Sequence, residues 1–142
     1  MTDELEEIDY LSVDDLVEIA SSIVKDLSIR DVGLLASAAA RPRTTVFGAD
    51  AYPRFVDKVA ALLHSLARNH SLVDGNKRLA WAATRVFCVL NDRDLVFTVD
   101  DAETMIIAVA AGHLDVPDLA RVLERHLAPA GPDTSGARRD AP

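Results

Sequence analysis

Among 142 residues there is a single cysteine, Cys88, which excludes an internal disulfide framework and any zinc site built on several thiolates. It lies in the apolar run Val86-Phe87-Cys88-Val89-Leu90, where a thiol serves as a small buried hydrophobe. Positive charge is also scarce. Lys and Arg number 15 against 23 Asp and Glu, a formal net charge of -8, which argues against direct binding to nucleic acid or to an anionic membrane surface. No segment reaches the ~18 consecutive apolar residues that a membrane-crossing helix requires. Residues 1–9 are acidic and lack the basic-then-apolar order of a secretory signal, so the expected location is the cytoplasm. No internal repeat is visible.

What is present is enough apolar sequence for one core: 49% of the residues, spread over several segments. The expected organisation is one domain over residues 1–128. A tail over residues 129–142, rich in proline, glycine and small residues, has no apolar periodicity and is expected to be disordered.

Ser12 with Asp15 three residues on resembles a capping box, and Leu16, Val17, Ala20, Ile23 and Val24 continue as an amphipathic helix. A shorter helix is expected after Asp31, ending near Arg41 because Pro42 disfavours helical geometry before it. Residues 43–48 turn β-branched and aromatic and end in glycine, which predicts a short strand or hairpin, here termed the flap. Apolar residues from Phe55 to Leu66 recur every three or four positions, predicting a long helix over residues 51–69. A helix over residues 76–90 is apolar on most sides and is expected to be the most buried element. After the turn at residues 91–94, residues 95–99 read as a strand. Asp100 is expected to cap a helix to about Gly112, and Pro117 to open another to Leu127. The fold class is all-α, a helical bundle with a β-hairpin flap.

Between the two central helices stands a stretch dense in polar and ionisable groups: Arg68, Asn69, His70, Asp74, Asn76, Lys77 and Arg78. Gly75 permits a turn closed to other residues, after which Asn76, Lys77 and Arg78 start the next helix. A helix start with free N–H groups and two cationic side chains is an anion site, suited to the phosphates of a nucleotide. Asp74, beside it, is the candidate ligand for a magnesium ion bridging to phosphate. His70 is the candidate general base, since histidine exchanges protons near neutral pH. Arg68 fits either a nucleotide contact or a cation at a helix C-terminus.

These residues resemble the signature of the Fic/Doc family, His-x-Phe-x-(Asp/Glu)-(Gly/Ala)-Asn-(Gly/Lys)-Arg. The match is carried by His70, Asp74, Gly75, Asn76, Lys77 and Arg78, with Leu72 in place of the usual phenylalanine. The resemblance implies ATP and magnesium as cofactors, with Gly75, Asn76, Lys77 and Arg78 meeting the nucleotide and His70, Asp74, Asn76, Lys77 and Arg78 carrying catalysis; Arg68, two residues before the motif, stays a candidate nucleotide contact beside its helix-end reading. Lys77 stands where adenylyl-transferring members carry glycine and looks like the Doc (death on curing) branch. That branch implies a growth-arresting toxin that inhibits translation by acting as a kinase, moving the γ-phosphoryl of ATP to a threonine of the translation factor EF-Tu. An adenylyl transferase using the same groups is the alternative, and a catalytically silent binding module a further one. The family's inhibitory pattern, (Ser/Thr)-x-x-x-Glu-(Gly/Asn), is missing, because no Glu precedes Gly or Asn. Restraint is then expected from a separately encoded antitoxin, as in a toxin-antitoxin system.

Other residues admit plain readings. His64, His113 and His126 are expected to be structural, and Trp81 to be core. Arg41 and Arg43 near the flap fit phosphate contacts or solvated turn residues.

Overall fold

The computed structural model describes residues 7–130. Helix α1 (Val13–Ile23) opens on the expected box: the Asp15 amide donates to Ser12 Oγ at 3.1 Å, and the Ser12 amide to Asp15 Oδ2 at 2.9 Å. Helix α2 (Val32–Ala40) is capped by Asp31, whose Oδ1 accepts from the Leu34 amide at 3.2 Å. A 3₁₀ turn at Arg41–Arg43 takes over where buried Pro42 forbids another helical turn.

The flap is a hairpin of β1 (Thr45–Val46) and β2 (Ala49–Asp50), slightly later than residues 43–48 suggested. Phe47 and Gly48 both have positive φ, 52° and 81°, as a two-residue turn between twisted strands requires. The flap is tied to the core by Lys58, 3% exposed, whose Nζ donates to Tyr52 O at 2.7 Å and to Asp50 Oδ2 at 3.2 Å.

Helices α3 (Phe55–Arg68) and α4 (Asn76–Leu90) form the centre. The most buried element is α3, not α4: eleven of its 14 residues are buried, against six of 15 in α4. The reason is placement. Helix α3 is enclosed by α2, the 3₁₀ turn, α4, α5 (Val99–Ala110) and α6 (Val116–Glu124), whereas α4 turns Val86, Val89 and Leu90 to solvent. Cys88 is buried as expected, and desolvation pushes its thiol up to about 12, so it is chemically quiet.

The C-terminal part departs from the local reading. Strand β3 (Arg93–Leu95) begins inside the expected turn, α5 is capped by Thr98 rather than Asp100, and α6 ends at Glu124. Residues Leu127–Pro129 form β4, which pairs antiparallel with β3 so that Arg93 faces Pro129 and Leu95 faces Leu127. Strand β4 therefore covers positions assigned to a helix end and to the start of the tail. Pro129 fits there because a two-stranded edge tolerates a missing donor. The remainder of the tail, residues 131–142, lies outside the described residues. Among the described residues six helices and two two-stranded sheets make the fold, and no helix is long and apolar enough to cross a membrane.

Candidate active site

The loop between α3 and α4 is held by main-chain hydrogen bonds at His70, Ser71, Leu72 and Val73. Asn69 ends α3, and His70 follows in left-handed backbone with φ 40°, a conformation that costs a non-glycine residue roughly 1–3 kcal/mol unless its surroundings enforce it. Enforcement comes from the link between α1 and α2. Arg30 donates from Nε and Nη2 to His70 O at 2.9 and 2.7 Å, and the Arg30 and Asp31 amides donate to Ser71 O at 2.8 and 3.1 Å. The Val73 amide donates to Ser28 O at 2.9 Å, and Ile29 bridges Leu72. From the other side Asn76 accepts from the Leu72 amide and donates to Leu72 O, both at 2.9 Å. Leu72, 1% exposed, packs in the core as the family's phenylalanine is expected to.

Gly75 has φ 94°, and a Cβ there would lie 2.6 Å from Val24 Cγ2 on the end of α1. Only glycine meets both conditions, and its turn starts α4 at Asn76. The first turn of α4 presents exposed Lys77 and Arg78. Asp74, with 85% of its side chain exposed, is 3.5 Å from Arg78, an interaction that solvent largely screens.

The stretch from Asp74 to Arg78 forms one wall of a cleft of about 700 Å³. Trp81, Ala82 and Arg85 extend that wall along α4, and Phe97, Glu103 and Ile107 face it from the segment leading into and along α5. Its charged groups are thus mixed, and two aromatic rings line it: Trp81 meets Phe97 edge-on at 5.6 Å, while Phe97 also stacks on His126, outside the lining, at 3.8 Å. Trp81 is half-buried and exposes a face to the cleft, not the pure core residue expected. Helical spacing from Arg78 to Trp81, Ala82 and Arg85 could have placed them on the motif's face. No local signal marks Phe97 or Glu103, which arrive from another element.

His70 is exposed at the end of α3 and does not line this cleft. Arg68 is directed elsewhere: its Nη1 donates to Ala110 O at 2.7 Å, and Gly112 leaves room for the guanidinium. Arg41 is no solvated turn residue. Half-buried, it donates to Tyr52 Oη at 2.9 Å and Ser65 Oγ at 3.0 Å, and its Nη1 is 3.1 Å from His64 Nδ1. Arg43 lies over the Tyr10 ring at 5.0 Å. Burial, reinforced by Arg41 and Arg68, holds His64 below its ordinary pKa. Among the described residues no group of three or more His, Cys, Asp or Glu side chains gathers to hold a metal.

A helical bundle with a hairpin flap and a loop of this form between its two central helices describes one family, and the Fic/DOC family model matches residues 10–88. The chain belongs to the Fic/DOC family. It is similar to a protein named Toxin Doc from Mycolicibacterium smegmatis, 49% identical over 118 residues, covering 81% of this chain and 91% of that one.

Proposed function

We propose that this chain is a Doc-type toxin that transfers the γ-phosphoryl of ATP to a threonine hydroxyl of EF-Tu in the cytoplasm, arresting translation, and that a separately encoded antitoxin restrains it. The observation that carries the reading is Lys77 in the first turn of α4, between Asn76 and Arg78 and bordering the cleft. Similarity to a protein named Toxin Doc over most of both chains supports it.

In this reading His70 accepts the proton of the threonine hydroxyl. The hydroxyl oxygen bonds to the γ-phosphorus as the bond from that phosphorus to the β–γ bridging oxygen breaks, and ADP leaves with the electron pair. The free N–H groups at the start of α4, with Lys77 and Arg78, offer fixed positive charge to the phosphate oxygens. Asp74 suits magnesium in the way that metal usually binds beside nucleotides, through one or two exposed carboxylates plus phosphate oxygens. Magnesium held there would offset charge on the phosphoryl oxygens. Because no Glu precedes Gly or Asn in these 142 residues, the family's internal inhibitory pattern is missing, which favours restraint from outside.

The test is incubation with purified EF-Tu and ATP labelled separately at the α and γ phosphates. Label retained from γ alone supports the reading. Retention from α alone makes the chain an adenylyl transferase, and retention of neither removes both reactions for this acceptor.

A further inference from the structure

We propose that Arg30 is a positioning residue for His70, holding its backbone in the left-handed conformation that aims the imidazole. The inference rests on the reading of His70 as the general base. A left-handed histidine relaxes unless something opposes it, and its carbonyl oxygen is the atom that swings as ψ changes. That oxygen receives both Nε and Nη2 of Arg30, at 2.9 and 2.7 Å.

The clamp is itself anchored. The Arg30 amide donates to Ser71 O at 2.8 Å, one residue beyond the carbonyl that its side chain grips, so backbone and guanidinium seize consecutive peptides of the loop. Arginine suits the task because its planar fork directs two donors at one acceptor, whereas lysine offers a point charge. The guanidinium engages the main chain of His70 and leaves the imidazole to meet a hydroxyl. Arg30 therefore acts through His70 and touches no reactant.

A residue that merely stapled the α1–α2 link would change the melting temperature and leave the folded protein fully active. The experiment separates the two on full-length protein below its melting temperature. In the labelled-ATP assay on EF-Tu, Arg30→Ala is expected to lower kcat by about tenfold or more, as small misplacements of a catalytic group do. KM for ATP should stay within about twofold, since the start of α4 is untouched. Arg30→Lys, with one donor directed at the carbonyl, should fall between. Carbon-13 shifts of His70 Cα and Cβ give a second readout: left-handed values in the parent, moved or broadened in Arg30→Ala.

A kcat within about twofold of the parent overturns the proposal whatever the melting temperature. A fall in kcat with unmoved His70 shifts also overturns it, because Arg30 would then act by another route. Should the parent transfer no label, the proposed reaction falls and the His70 shifts alone decide: movement upholds the positioning role and constancy refutes it. Should Arg30→Ala fail to fold, Arg30→Lys and Arg30→Gln supply the same readouts.

Discussion

Asn76 closes its side-chain amide on both main-chain polar atoms of Leu72, accepting from the amide and donating to the carbonyl at 2.9 Å each. The first residue of α4 thus folds the loop before it, and the helix start and the His70 loop become one rigid unit.

Removing that link should be costly. Asn76→Ala strands a donor and an acceptor next to a buried side chain and is expected to lower stability by about 1–3 kcal/mol in urea unfolding. Asn76→Asp keeps the acceptor but sets a carboxylate against the Leu72 carbonyl, and should not recover the loss. Full recovery by aspartate would show that only the amide bond to Leu72 matters.

Gly75→Ala meets two penalties, a φ of 94° and a Cβ 2.6 Å from Val24 Cγ2. A loss of at least about 1–3 kcal/mol is expected from the backbone alone. Adding Val24→Ala removes the collision and leaves the dihedral, so the double variant should remain less stable than Val24→Ala by itself. Equal urea midpoints for those two proteins would assign the whole effect to the collision.

Lys77→Gly tests the choice of phosphate. It gives the loop the pattern of the adenylyl-transferring branch, and should weaken γ-phosphoryl transfer and permit AMP transfer. Losing one charged contact should weaken ATP binding by roughly 1.5–3 kcal/mol, about tenfold or more. Mass spectrometry of the acceptor distinguishes added phosphate from added AMP. An unchanged phosphorylation rate would show that Lys77 does not orient the nucleotide.

His64 is expected to make folding sensitive to acid. Burial, then Arg41 and Arg68, hold it below its ordinary value of 6.5, with Asp115 opposing. The unfolded chain therefore takes up the proton first, and stability should fall as pH drops through the unfolded value toward the lower native one. His64→Gln, which cannot charge, should lose less stability than the parent between about pH 7.5 and 5.5. Parallel losses in urea midpoint would mean that other groups govern this range.

The helices were largely legible because their signals are local. Ser12 with Asp15, Asp31 with Leu34, and the Gly75–Asn76 junction each act within four residues, and period and caps are written in consecutive sequence. Strand β4 was not. Its residues read as a helix end and a tail, and they become a strand only because β3, more than thirty positions earlier, offers its edge.

The site divides in the same way. His70, Asp74, Gly75, Asn76, Lys77 and Arg78 lie within one nine-residue stretch, so the chemistry of a helix start with cations and a carboxylate could be read from the sequence alone, as could the family. Tertiary structure decided which atoms steady that chemistry. Arg30 is forty positions from His70, and nothing near it in sequence marks it as a clamp. Arg68, two residues from the motif, instead turns to the end of α5. Proximity in sequence sets which groups are available, but a side chain's partner is fixed by where packed helices bring unpaired donors and carbonyls together, and that packing is a property of the whole chain.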